Sequence, residues 1–282
     1  LFNDATTNPT QGQICNKMKK NKIYNIDCLQ KLTEMPDNYV DLTIFSPPYD
    51  NLRDYEGYSF DLHKIGKQLY KVTKEGGIVV MVIQDATIKG RKTLTTFKSI
   101  LDFCNTGFGL FETVIYNRHG VPGAWWNKRF RVDHEYIPIF VKGKKPKYFN
   151  KESIKIPSKH GGKTMTGAAV RNKDGSLTKS RQFYINPMKC PGTVMDFGNS
   201  CGDGTKLKHQ HPAVFPDRIP YDFINVFTQE NDLVLDIMCG SGTTCLMAKI
   251  LNRKYIGIEI SKKYCDIANE RIKLVDTKFS IR

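Results

Sequence analysis

Leu233-Val234-Leu235-Asp236-Ile237-Met238-Cys239-Gly240-Ser241-Gly242-Thr243-Thr244 reads as a short apolar strand closed by a carboxylate, then a glycine turn, then the opening of a helix. Glycines let a ligand come close to the backbone, and a helix N-terminus offers it free N–H groups. The following run, Tyr255-Ile256-Gly257-Ile258-Glu259, is a second strand that also ends in a carboxylate. In nucleotide-like cofactor sites an acid at that place binds ribose hydroxyls. With helices expected at 243–251 and 262–274, this end of the chain is a β-α-β-α unit. It lacks the third glycine of a G-x-G-x-x-G fingerprint, which disfavours a nicotinamide dinucleotide.

The same alternation is legible upstream. Residues 22–26 alternate like a strand, 28–35 carry Leu29, Leu32 and Met35 at helical spacing, and 41–45 form a β-rich run. A helix over about 60–73 is expected to stop at Gly76-Gly77, before a buried strand at 78–83. A helix at 94–104 and strands at 111–116 and 135–141 continue the pattern. The expected fold is α/β: a doubly wound, mostly parallel sheet. It divides into a first half over 1–141, an insertion over 142–208, and a closing half over 209–282 that completes the same domain.

The insertion stands out by composition, being rich in Lys, Gly, Ser, Thr and Asn with few apolar residues at any period. Between Asn117 and Lys208 lie 19 Lys and Arg against 6 Asp and Glu, a net +13 out of +15 for all 282 residues. Charge so concentrated suits a phosphate-tracking surface, with nucleic acid the first partner to consider and an anionic membrane the second. The bland alternative is a solvated loop without a partner. The longest apolar run, 78–83, is far too short to span a bilayer, and the N-terminal 22 residues lack the apolar core of a signal peptide. A cytoplasmic location is expected, and a first residue other than Met points to a trimmed or incompletely ordered start.

Eight cysteines without a C-x-x-C pair read as reduced thiols. Cys190, Cys201, His209 and His211 can be drawn as a zinc site, but their spacing is irregular and no metal is expected.

Near the start, Ser46-Pro47-Pro48-Tyr49 follows an apolar strand directly. Proline fixes its own φ, lacks an N–H, and pushes the residue before it into extended backbone. The segment therefore leaves the strand stiffly, with carbonyls that have no neighbouring donors. The Pro47 carbonyl and the Ser46 hydroxyl can accept hydrogen bonds from both protons of a planar amino group. Tyr49 can stack on the ring that carries it. Trp125-Trp126, flanked by Gly120, Gly123, Lys128, Arg129 and Arg131, reads either as buried anchors or as a loop filling the gap left by an extruded base.

These residues resemble the β group of DNA amino-methyltransferases, in which the catalytic motif precedes the S-adenosylmethionine motif. Asn51-Leu52-Arg53-Asp54-Tyr55 after the Ser-Pro-Pro-Tyr corner, Ile26-Asp27-Cys28-Leu29, and His211-Pro212-Ala213-Val214-Phe215-Pro216 are also similar to segments of that family. The resemblance is firm over 22–55 and 211–272, weaker over 56–141, and without motif over 142–210. It implies a seven-stranded methyltransferase sheet with a target-recognition insertion at 142–208. It implies a catalytic corner of Ser46, Pro47, Pro48 and Tyr49. It further implies S-adenosylmethionine held by Asp236, Gly240, Gly242, Thr243, Thr244 and Glu259, with Asp27, Cys28 and Phe215 as further cofactor contacts. The partner is double-stranded DNA, with no membrane. A Ser at the first clamp position resembles N4-cytosine members, which implies direct methyl transfer to an extruded base without a covalent enzyme intermediate. Adenine N6 is the alternative, followed by an RNA or protein-glutamine methyltransferase and a catalytically silent nucleic-acid-binding protein on the same scaffold. Homodimerisation, and a cognate restriction enzyme as functional partner without a stable complex, are left open.

Overall fold

The computed structural model describes residues 18–48, 61–118, 130, 132–197, 207 and 216–274. The stretch 51–55, Trp125, Trp126, Cys201, His209 and His211 lie outside them. In chain order the elements are β1 (Lys22–Asn25), α1 (Cys28–Thr33), β2 (Val40–Phe45), α2 (Leu62–Val72), β3 (Thr73–Met81), a small hairpin of β4 (Thr87–Ile88) and β5 (Arg91–Lys92), α3 (Thr95–Asn105), β6 (Gly109–Asn117) and β7 (His134–Val141). Four short strands follow: β8 (Ile156–Pro157), β9 (Thr164–Thr166), β10 (Gln182–Tyr184) and β11 (Met188–Lys189). The chain continues with β12 (Val194–Met195), α4 (Arg218–Phe227), β13 (Leu233–Asp236), α5 (Thr243–Ile250), β14 (Lys254–Glu259) and α6 (Lys262–Leu274).

Two compact units result: Leu1–Phe149 with Thr193–Arg282, and Asn150–Gly192. The larger holds a sheet in the order β1-β14-β13-β2-β3-β7-β6-β12. Neighbours from β1 through β3 are parallel, and β7 runs antiparallel to both β3 and β6. The sheet has eight strands where seven were expected. The extra one, β12, is a two-residue edge pairing Val194 and Met195 with Ile115 and Tyr116, too short to register as an alternating run.

β2 is buried at every position, as befits a strand between parallel neighbours. Helix α2 turns Ile65, Leu69 and Val72 inward at i, i+4, i+7, and the Asp61 carboxylate accepts the Lys64 N–H at 3.0 Å to cap it. Phe103 of α3 fills the layer between sheet and helix, its ring 4.9 Å from Phe140 and 6.0 Å from Phe108.

Gly76-Gly77 does not separate helix from strand. Both lie within β3, which begins at Thr73, and the register slips between Val40–Thr73 and Leu42–Ile78. Gly76 has φ +71° and faces Lys147 so closely that a Cβ would come within 2.7 Å of its backbone nitrogen. The pair makes a bulge that admits a neighbouring chain, a use of glycine easily mistaken for a stop.

Division between the units falls inside the expected 142–208 segment. Residues 142–149 and β12 belong with the sheet, and Lys142 is spent there. Its ammonium donates to the Tyr70 and Thr73 carbonyls and to Asn38 Oδ1 at 2.7–2.9 Å, and burial lowers its pKa. Arg118 is likewise neutralised by Glu135 at 2.6 Å. The smaller unit carries nine Lys and Arg against two acids, a net +7.

Among the described residues no helix is long and apolar enough to cross a membrane, and no group of three or more His, Cys, Asp or Glu could hold a metal.

Candidate active site

β13 lies beside β2 and parallel to it, Val234 opposite Leu42 and Leu235 opposite Thr43. Both strands therefore deliver their C-terminal residues to the same edge: Ser46-Pro47-Pro48 from one, Asp236 and the glycine turn from the other. From β13 the chain winds toward β14, and from β2 it winds toward β3, so the two motifs meet where the winding direction reverses. Crevices at such points are the ligand sites of open α/β sheets. Asp41 pins the far end of this seam, accepting the Leu233 N–H at 3.0 Å and the Lys74 ammonium at 2.6 Å.

Glu259 ends the strand on the other side of β13 and organises the turn. One carboxylate oxygen accepts the Gly240 N–H at 2.8 Å and the other the Ser261 N–H at 2.9 Å. Each oxygen keeps a second lone pair for a ligand hydroxyl. Asp236 is almost wholly buried, with Oδ1 accepting the Met238 N–H at 3.1 Å. Burial raises both carboxyls; that of Asp236 reaches about 7, pushed further by the charge of Glu259, and the Thr244 hydroxyl and the Met238 N–H offset only part of the rise.

A carboxyl raised in this way binds its proton more tightly folded than unfolded. Its contribution favours folding at acidic pH and is lost as pH climbs from the ordinary 3.8 through about 7. Thermal melts of the ligand-free protein are expected to show stability falling between about pH 4 and pH 7, and Asp236→Asn is expected to flatten that fall. Parallel slopes for the two proteins would contradict the assignment.

Gly242 has φ +80°, and a Cβ there would lie 2.7 Å from that of Ala268 on α6. Its bareness serves the packing of turn on helix, a role that glycine spacing alone does not distinguish from ligand approach. Thr243 and Thr244 are buried beneath the turn. The turn is also gripped by Arg271, a fully buried arginine whose guanidinium donates to the Ser241 carbonyl, to Ser241 Oγ at 3.0 Å and to Thr243 Oγ1 at 3.3 Å. Arg271 went unnoticed in the sequence, yet it falls in phase with Cys265, Ala268 and Ile272 on the apolar stripe of α6. A cation in an apolar stripe is the signal that could have found it.

β1 brings a third segment to the edge, Asn25 pairing with Glu259. The Asn25 amide donates to the Glu259 and Ile260 carbonyls at 3.1 and 2.7 Å, another tie that sequence reading missed. Asp27 caps α1, accepting the Gln30 N–H at 2.9 Å, and Cys28 is buried with its thiol pushed up to about 12. Burial keeps this thiol protonated, so Cys28 can line a pocket but not act as a nucleophile. Cys239 and Cys245 crowd the bare backbone of Gly257, at 2.8–3.0 Å from where its Cβ would be. Ser46 and Pro48 are half-buried and Pro47 buried. Tyr49 and Phe215 lie outside the described residues.

The geometry thus joins a proline corner to a carboxylate-flanked glycine turn across one strand boundary. A family model described as DNA methylase, covering N6 and N4 methyltransferases, matches residues 40–270. The chain belongs to the DNA methylase family. It is 42% identical over 245 residues to the orphan methyltransferase M.BamHII of Bacillus amyloliquefaciens, covering 84% of this chain and 90% of that one. Among solved structures it is similar to the PvuII DNA methyltransferase (cytosine-N4-specific), with a TM-score of 0.67, 23% identity, and 92% and 87% of the two chains covered. The complex of M1.HpyAVI with S-adenosylmethionine matches at a TM-score of 0.59 and 21% identity, covering 90% and 99%. These structures share the fold. The protein is a DNA methyltransferase.

Proposed function

We propose that this methyltransferase acts on the exocyclic N4 of cytosine in duplex DNA, through the corner Ser46-Pro47-Pro48-Tyr49. The observation that carries the reading is the shared edge of β2 and β13, which sets the amine-holding corner beside the cofactor turn. The methyl donor in this reading is S-adenosylmethionine, the ligand in the M1.HpyAVI complex, and it fits the residues present. Burial raises both carboxyls and the charge of Glu259 adds to the rise at Asp236, so a ligand bearing positive charge and ribose hydroxyls would offset the cost of their ionised forms while using the free lone pairs of Glu259. Asp236, Gly240 and Glu259 would hold it, with Asp27, Cys28, Phe215, Thr243 and Thr244 as further contacts and Gly242 shaping the turn. When bound, it supplies an electrophilic methyl on a sulfonium.

The duplex buries the target, so the base must be rotated out, and Tyr49 supplies a face for it to stack on. Ser46 Oγ and the Pro47 carbonyl accept the two amino protons, drawing the nitrogen lone pair out of conjugation and toward the methyl carbon. The nitrogen so held would take the methyl that the donor supplies and would give up one of its protons to water. Fixed dipoles and proximity supply the rate. Cytosine is favoured over adenine by Ser46, the residue type that resembles N4 members. The basic segment within 142–208 would serve target recognition.

Nucleoside mass spectrometry of DNA methylated in vitro tests the reading. N4-methylcytosine is the expected product. N6-methyladenine would keep the mechanism and overturn the target base.

A further inference from the structure

A hydrogen-bond acceptor shut away from water normally meets a donor, because otherwise nothing offsets the cost of desolvating it. Gln84 departs from this. The residue is half-buried, but its Oε1 is fully buried and accepts no hydrogen bond. Such an atom is a place kept for a donor that arrives or turns toward it.

The sheet register fixes where Gln84 stands. β3 lies beside β2 with Leu42 next to Ile78, Ile44 next to Val80 and Phe45 next to Met81, and the Val82 N–H extends the ladder by donating to the Phe45 carbonyl at 2.9 Å. On the other flank Val80 pairs with Ile139, and Ile83 bridges Tyr136 through two backbone bonds of 2.9 Å. The chain is therefore still extended at Ile83, whose side chain joins Phe45, Val79 and Met81 in the core. Gln84, the next residue, turns to the opposite face. That face also carries Ser46 and, because Val234 stands beside Leu42, Asp236.

Held to the same register, Gln84 comes level with Pro48 on one side and Glu135 on the other. Neither offers it a side-chain donor. Proline lacks even the backbone N–H, and the Glu135 carboxylate is itself an acceptor, taking the Arg118 guanidinium at 2.6 Å. A donor that shares both face and edge is the Ser46 hydroxyl, one strand over and two residues back. Ordinary strand spacing puts the two Cα atoms about 8 Å apart, within reach of a glutamine side chain. A hydroxyl has one proton and two lone pairs, so Ser46 can donate or accept. With its proton toward the target amine it would be a donor facing a donor. An acceptor on its far side removes that choice.

We infer that Gln84 is the positioning residue of the proline corner: its Oε1 accepts the Ser46 O–H, which turns the Ser46 lone pairs toward the protons of the target amine. The inference rests on the reading of Ser46 as a holder of that amine and adds what aims it. Gln84 touches neither base nor methyl donor, and no bond is made or broken at it.

The test is single-turnover methyl transfer to a duplex that the wild type methylates, at saturating S-adenosylmethionine, for Gln84→Met, Ser46→Ala and the double variant. Gln84→Met keeps the length of the side chain and removes the acceptor. It is expected to slow transfer about tenfold, with affinities for S-adenosylmethionine and for the duplex unchanged. Its melting temperature is expected to equal or exceed that of the wild type, since the substitution removes a buried acceptor that has no donor. In the Ser46→Ala background the same substitution is expected to cost nothing further, because the hydroxyl it would misdirect is already gone. A wild-type rate in Gln84→Met, losses that multiply in the double variant, or a lowered melting temperature would each overturn the inference and leave the reading of the corner standing. If Ser46→Ala transfers methyl as fast as the wild type, the reading of the corner falls and the inference falls with it.

Discussion

Replacing Glu259 by Ala is expected to weaken S-adenosylmethionine binding by about 10²–10⁴-fold, because two charge-assisted hydrogen bonds to ligand hydroxyls are each worth about 1.5–3 kcal/mol. The change also leaves the Gly240 and Ser261 N–H groups without their acceptor, which loosens the turn. Isothermal titration calorimetry with S-adenosylmethionine reads the loss directly. Glu259→Gln separates its two parts, since an amide oxygen can still take one backbone N–H but brings no charge and offers the other side a donor in place of an acceptor. It should fall between wild type and Ala in affinity while melting close to wild type. A dissociation constant for Glu259→Ala within threefold of wild type would remove this carboxylate from the cofactor site.

The second large effect belongs to the other side of the seam. Ser46→Ala combined with Tyr49→Ala is expected to lower single-turnover methyl transfer by about 10²–10³, the range found when one preorganised donor or acceptor is taken from a reacting centre. Affinity for S-adenosylmethionine should hardly change, because the turn is built by β13, β14 and α6 and owes the corner nothing. That split between chemistry and cofactor affinity distinguishes loss of the amine-holding groups from general unfolding. Full activity in the double variant would show that the corner does not hold the base.

Much of this architecture is legible in the sequence because strand and helix periods coincide with burial. β13, β14, α5 and α6 stand within a residue or two of where their apolar patterns place them, and the motifs mark strand ends that the sheet brings to one edge. What stayed hidden has identifiable causes. Helix α4 buries Ile219, Phe223, Ile224 and Phe227 at helical spacing, but Pro220 stands in its first turn, where proline is tolerated and still reads as a breaker. Gly76-Gly77 carries the same ambiguity between a stop and a bulge. The antiparallel direction of β7 is invisible to periodicity, since a buried strand has the same composition in either direction. At the site, the carboxylates and glycines could be named from spacing. Their partners could not, because Arg271, Asn25 and Ser261 act through contacts that depend on how α6 and β1 fall against the turn. Charge counting over 117–208 also took in Lys142 and Arg118, which the sheet uses for itself.

The pairing of β2 with β13 has a further meaning for how the molecule is made. The Leu233 N–H and the Asp41 carboxylate that close this seam are 192 residues apart. Chains are synthesised from the N-terminus, so β2 emerges long before its partner and waits, one ladder of backbone groups open, until β13 has left the ribosome. Closing so long a loop is slow, and an apolar strand left unpaired meanwhile is an invitation to aggregate. The proline corner therefore stands without the glycine turn beside it throughout the synthesis of the intervening residues, and the two meet only once β13 is made.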